Sequence, residues 1–137
     1  MKAFQTYLNF DGDTREAMTF YQRCLGAELS VQTFADAKME GPPGTGDRVL
    51  HARLTSGAAT LMASDTMPGM PFTPGNNFAV NIDCSSAEEV DRFFAALGEG
   101  GRVTMPLQDT FWGARFGMLV DRFGVAWMFN FEKPKQR

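Results

Sequence analysis

The sequence predicts an α+β fold: two βαβββ modules whose curved mixed sheets form a trough, with the helices on the outer face. Three observations carry this expectation. The order strand–helix–strand–strand–strand reads twice along the 137 residues, a repeat of architecture rather than of identity. In each half an alternating strand is followed by a capping pattern and an amphipathic helical stripe. Proline- and glycine-rich stretches interrupt the chain where loops would have to run. The length suits one compact domain. The reading is a single domain over 1–137, with module one at 1–66, a linker at 67–76 and module two at 77–137.

The first element is "AFQTYLNF" (Ala3 to Phe10), which alternates as a strand. Gln5, Tyr7 and Asn9 fall on one face, and Phe4, Leu8 and Phe10 on the other. "DGDTRE" then turns into a helix, with Asp13 as the cap and Glu16 reaching back. Ala17, Phe20, Tyr21, Cys24 and Leu25 make its buried stripe, and Gly26 ends it. "ELSVQTFA" is the next strand, and "DAKMEGPPGTGD" a loop. "RVLHARLT" and "AATLMAS" follow as a hairpin turning at Ser56-Gly57.

Beyond the linker, "NFAVNID" places Phe78, Val80 and Ile82 opposite Asn77, Ala79 and Asn81. The helix "SSAEEVDRFFAAL" opens with a capping box, from Ser85 to Glu88 or from Ser86 to Glu89. Glu88 and Glu89 complement the helix dipole there and need no catalytic reading. Val90, Phe93, Phe94 and Leu97 form the stripe, stopped by Gly98. A strand near "GRVTMPL" leads to the ribbon "FWGARFGMLVDRFGVAWMF", read as two strands joined by a turn at Asp121 to Gly124.

Within the ribbon, Phe111 to Val120 is one strand, with Trp112, Ala114, Phe116, Met118 and Val120 opposite Phe111, Gly113, Arg115, Gly117 and Leu119. The small residues Gly113, Ala114 and Gly117 open the backbone to strand crossing, a partner chain or a flat ligand. Trp112 and Trp127 read as core. Arg115, mid-strand among apolar neighbours, needs a partner: a carboxylate such as Asp109 or Glu99, or an anionic ligand. Arg122, in the turn, needs only water.

Composition narrows the function. Hydrophobic residues at 44% and charged residues at 21% are those of an ordinary soluble domain. No apolar run approaches the ~20 residues of a membrane span. The opening "MKAFQTYLNFDGD" has no secretory signal pattern, so the expected location is the cytoplasm. A net charge of -3 argues against nucleic acid as a partner. The basic tail "KPKQR" reads as a solvated end. Cys24 and Cys84 read as reduced thiols that pack rather than react. Thirteen phenylalanines and nine methionines against two tyrosines suit a deformable apolar core or pocket.

One helix per half covers one sheet face. The other face, bearing Gln5, Tyr7, Asn9, Asn77 and Asn81, stays uncovered, and side by side the two halves would line a ligand-binding trough. His51, the only histidine, lies on a strand face with Val49, Arg53 and Thr55. It is read either as a hydrogen-bonded surface histidine or as a ligand-orienting donor or base.

Three stretches resemble a known family: "YLNFDGDTREAMTFYQRCLGAEL", "VLHARLTSGAATLMASD" and "GGRVTMPLQDTFWGARFGMLVDRFGVAWMFN". Together they cover well over half the chain. They resemble the PhnB-like group of the vicinal-oxygen-chelate superfamily, which includes glyoxalases, bleomycin-resistance proteins and extradiol dioxygenases. The resemblance implies the two-module trough and a homodimer. Some members of the group carry a demethylubiquinone methyltransferase label, but the sequence has no Gly-rich strand-to-helix turn for such a cofactor.

Metal-dependent superfamily members place a ligand on the first and last strand of each module. Carried over, those positions are Gln5, Met62 or Leu61, Asn77 and Met128, a poor cage for Zn, Ni, Mn or Fe. The one alternative set is His51, Asp65 and Gln5, on neighbouring strands. The expectation is therefore metal-independent binding of an anionic or aromatic small molecule, with no cofactor. Gln5, Tyr7, His51, Asn77, Trp112, Arg115 and Met128 are the expected ligand contacts. A metal-assisted lyase, isomerase or dioxygenase is the alternative, and a dimeric scaffold without ligand a third.

Overall fold

The computed structural model describes residues 1–134. The chain forms two compact units, Met1–Thr73 and the part from Pro74 on. The first contains β1 (Thr6–Phe10), α1 (Thr14–Leu25), β2 (Glu28–Thr33), β3 (Val49–Ser56) and β4 (Ala59–Asp65). Its sheet runs β1-β4-β3-β2, with β1 parallel to β4 and the other pairs antiparallel. The second contains β5 (Val80–Asp83), α2 (Ala87–Gly98), β6 (Arg102–Asp109), β7 (Ala114–Val120) and β8 (Ala126–Glu132). Its order, β5-β8-β7-β6 with β5 parallel to β8, repeats the first. The fold is thus α+β with two mixed βαβββ sheets, as the periodicity predicts.

In each unit the helix packs on one face of its own sheet: α1 on β2, β3 and β4, and α2 on β6, β7 and β8. Ala17, Met18, Phe20 and Tyr21 of α1 are buried with Phe10, Ala52, Leu54, Leu61 and Ala63. Val90, Phe93 and Leu97 of α2 are buried with Leu119, Trp127 and Phe129. Trp127 is therefore the core residue the sequence suggested.

The helix starts differ in how they are capped. Ser86 Oγ accepts the Glu89 N–H at 3.0 Å, while Glu89 Oε1 accepts the Ser85 N–H at 3.0 Å. This is the second of the two capping registers anticipated. At α1, Asp13 makes no side-chain cap hydrogen bond. The buried carboxylate of Asp65, at the end of β4, takes that role from across the sheet. Its Oδ1 accepts from the Gly12 N–H (2.9 Å), the Thr14 N–H (3.1 Å) and the Thr14 hydroxyl (2.7 Å), and its Oδ2 from the Val49 N–H (2.9 Å). One side chain thus fixes the first turn of α1, the end of β4 and the start of β3 together. The helix ends as expected on Gly26, whose φ of +64° suits a residue without Cβ.

Three strands start later than the alternation predicts. β1 begins at Thr6 rather than Ala3, β5 at Val80 rather than Asn77, and β7 at Ala114 rather than Phe111. β1 and β5 are edge strands that pair on one side only. Alternation continued past a partner strand's end has nothing to bond with. Before β7 the chain turns instead: the Gly113 N–H donates to the Thr110 carbonyl, and Gly113 takes φ +88°. An irregularity in the β2–β3 pairing, Gln32 with His51 but Thr33 with Val49, puts Val49 on the buried side. It does not share the His51 face. The β3–β4 turn falls at Gly57-Ala58, one residue later than anticipated.

At Gly117 the expected opening is filled from within. A Cβ there would meet Phe94 Cε2 of α2 and Leu107 Cδ2 of β6, each at 2.9 Å. No helix among the described residues is long and apolar enough to cross a membrane.

Two stability outcomes follow from these contacts. Asp65→Ala strands four donors, two of them at the helix start, and should lower unfolding free energy by about 3 kcal/mol or more. Asp65→Asn, which turns one acceptor into a donor, should recover only part of this; urea denaturation followed by circular dichroism measures both. Gly117→Ala should cost about 1–3 kcal/mol by overpacking between α2 and the sheet, read in the same assay.

Candidate functional site

The helix-free face of the first sheet gathers the most chemistry. Alternation along β3 places His51, Arg53 and Thr55 opposite the buried Ala52 and Leu54. Register then sets Arg53 beside Met62 of β4 and Ser30 of β2, with His51 beside Gln32 of β2. On β1, Tyr7 pairs with Met62 and Asn9 with Ser64, so both belong to the same face. Tyr7 leans diagonally over β4 towards His51. Its hydroxyl lies 3.1 Å from His51 Nδ1, and the two rings stack at 5.7 Å with 29° between planes. Tyr7 remains 43% exposed, so a second ring could lie against the pair. Arg53 is exposed and has no ion pair or hydrogen bond among the described residues. In the sequence the only signal for Arg53 is its i+2 spacing from His51, which puts both on one strand face.

The second sheet's open face is built alike but is chemically different. Met105, Met118 and Met128 stand in one cross-strand row on β6, β7 and β8, with Asn81 of β5 next to Met128. Phe116 and Asn130 form the adjoining row, and Asn130 Nδ2 donates to Asp83 Oδ1 at 3.2 Å. Met128 thus lies on the helix-free face of the second sheet.

Other expected contacts fall elsewhere. Gln5 and Asn77 precede β1 and β5 and are exposed outside any strand. Trp112 sits in the β6–β7 turn, 60% exposed, edge-on to Phe111 at 5.1 Å, so it belongs to neither the core nor a strand face. Arg115 departs furthest from the expected ligand role. It lies on the helix side of β7, where Nε donates to Asp91 Oδ1 of α2 at 2.7 Å and Nη1 to Asp109 Oδ1 at 3.4 Å. Asp91, first, and Asp109 hold its guanidinium more firmly protonated than usual. Lys133, expected in a solvated tail, pairs with Asp109 at 2.8 Å. That contact, with Arg115 adding to it, keeps the Asp109 carboxyl below its ordinary range. The tail beyond Pro134 lies outside the described residues. Glu99, the other expected partner of Arg115, serves Arg122 instead: its carbonyl accepts from Arg122 Nε at 3.1 Å.

Cys24 and Cys84 are both free thiols. Burial, then the charges of Glu89 and Asp83, push the Cys84 thiol up to about 12, which suits packing and not nucleophilic attack.

The positions that the family resemblance assigns to metal ligands hold other residue types. The open-face positions on the last strands are thioethers, Met62 and Met128, and the amides Gln5 and Asn77 lie outside the sheets. Asp65 does not join His51, because it points to the helix side with both oxygens accepting structural N–H groups. Among the described residues no three His, Cys, Asp or Glu side chains are grouped to hold an ion. Neutral thioethers and amides are a poor set for Zn, Ni or Fe, which take imidazole, thiolate and carboxylate.

Comparison with known proteins agrees with this architecture. Protein YjdN of Escherichia coli K12 is 34% identical over 94% of this chain and 95% of its own length. The crystal structure of PA1353 from Pseudomonas aeruginosa is 41% identical, covers 96% of this chain and 100% of that one, and superposes with a TM-score of 0.84. The PhnB protein from Bacillus cereus is 30% identical over 95% of this chain and 99% of its own, with a TM-score of 0.77. A glyoxalase/bleomycin-resistance/dioxygenase domain from Frankia, 15% identical with a TM-score of 0.68 over 97% of this chain and 98% of its own, shares the fold. The family model described as 3-demethylubiquinone-9 3-methyltransferase matches residues 2–129. The chain belongs to that PhnB-like family, and its doubled βαβββ topology is the fold it shares with glyoxalase/bleomycin-resistance/dioxygenase proteins.

Proposed function

We propose that this protein binds a small aromatic or anionic molecule without a metal ion, on the open face of its first sheet. The observation that carries the reading is the stacked Tyr7–His51 pair with Arg53 beside it, on a face no helix covers. A stacked aromatic pair offers a flat apolar wall, and the arginine offers charge and planar hydrogen bonding. Polarising paired substrate oxygens would require a held metal, and the residues at the superfamily's ligand positions favour binding over that chemistry. The two free thiols fit a cytoplasmic setting.

We also propose a homodimer. Phe4 and Phe78, exposed at 93% and 84%, occupy matching places just ahead of the edge strands β1 and β5. Apolar rings left this open favour a covering surface.

Thermal-shift screening of the full chain against quinones, aromatic antibiotics and small aromatic acids tests the first proposal. Ligand-induced shifts should survive dialysis against EDTA and shrink in Tyr7→Ala. Shifts that appear only after one equivalent of Zn, Ni or Mn would establish the metal-dependent alternative instead. Sedimentation should show a dimer that Phe4→Ser with Phe78→Ser weakens; a wild-type monomer would refute the assembly.

A further inference from the structure

We infer that the open face of the first sheet recognises a planar oxyanion, a carboxylate or phenolate, held between the Arg53 guanidinium and the His51 imidazole. This rests on the reading of that face as a ligand surface and adds the chemical class of what it takes.

Arg48, Arg92, Arg115 and Arg122 each meet a carboxylate of their own unit. Arg53 does not. Its neighbours across the sheet are Ser30 and Met62, both neutral. Glu28 lies one same-face place further along β2, opposite Thr55, yet makes no ion pair with it. The guanidinium therefore stands on an exposed surface with its fork of donors unspent.

His51 supplies the second donor. Its Nδ1 is engaged by the Tyr7 hydroxyl at 3.1 Å. When Tyr7 donates, the neutral ring must carry its proton on Nε2, the nitrogen that faces away from Tyr7. Tyr7 is thus a positioning residue that sets the tautomer. His51 and Arg53 stand two residues apart on one strand face, about 7 Å along β3. A carboxylate accepting one bond of about 2.8 Å from each spans that gap. The Met62 thioether lies between Tyr7 and Arg53 in register and provides a polarisable floor for an attached ring. The fixed charge of Arg53 and the single Nε2 donor of His51 match a singly charged, planar group. A phosphate's second charge would find no second cation among these residues.

His51 is the only histidine, so its imidazole gives one set of long-range 1H–15N signals in the full chain. These are titrated with sodium benzoate, with its neutral counterpart benzamide and with inorganic phosphate, at constant ionic strength. Benzoate should move the His51 signals saturably and bind about tenfold or more tighter than benzamide, as a charge-assisted contact implies. Arg53→Ala should erase that preference, and Arg115→Ala should keep it. Tyr7→Phe should change the tautomer signature of His51 and weaken benzoate binding. If benzoate and benzamide bind alike and both move His51, the oxyanion inference is wrong while the ligand-surface reading stands. If neither moves His51, both fall. Phosphate binding tighter than benzoate overturns the planar assignment, and so does a preference that survives Arg53→Ala.

Discussion

One 12-residue helix per module has to shelter a four-stranded sheet, and this constraint governs everything else in the molecule. Such a helix is about 18 Å long and some 10 Å across, enough to cover one face of four strands spaced about 4.8 Å apart but not two. Each strand must therefore alternate, with one set of side chains sealed under the helix and the other set facing away. The sealed set is mainly apolar in both units, broken by Asp65 and Arg115, which bond to their own unit's helix. The open set is free to carry chemistry, and in the first unit it does.

A helix held to a sheet by apolar contact alone could slide. In the first unit Asp65 prevents this by satisfying the start of α1 from the end of β4, with its second oxygen on the start of β3. The second unit uses a local cap on α2 and places its buried carboxylate elsewhere. Asp121 Oδ1 accepts the Phe123 and Val125 N–H groups and closes the β7–β8 turn, while Oδ2 accepts from Trp127 Nε1 at 2.8 Å. Arg115, bonded to Asp91, ties α2 to β7. The two modules share a topology and differ in what locks it, and their open faces differ as much. Tyr7, His51 and Arg53 mark the first. A row of three methionines backed by Phe116 marks the second.

Much of the fold was legible in the sequence. The two apolar stripes, the Ser86–Glu89 capping box, the Gly26 terminator and the turn at Gly124 all depend on neighbours within a few residues. The open-face position of Tyr7, Asn9, His51 and Arg53 followed from alternation alone. Where alternation was extended too far, into Gln5, Asn77 and Trp112, it failed for a physical reason. A strand needs a partner, and the pattern does not say where the partner ends. The bulge that buries Val49 was equally invisible, because a single skipped pairing reverses the side on which a residue falls.

The sequence by itself determined the fold class, the doubled module, the helix boundaries and the alternation that leaves one face of each sheet open, because these are encoded in spacings of two to eight residues. Only the tertiary structure decided which polar groups meet. Asp65 caps a helix 51 residues earlier, His51 meets Tyr7 across 44 residues, and Arg115 finds Asp91 across 24. Such pairings depend on sheet order and register, which bring distant residues side by side without any local periodicity to announce it. The mid-strand charge that looked like the binding group was therefore already neutralised from α2. Arg53, unremarkable in the sequence, was left exposed without a partner among the described residues.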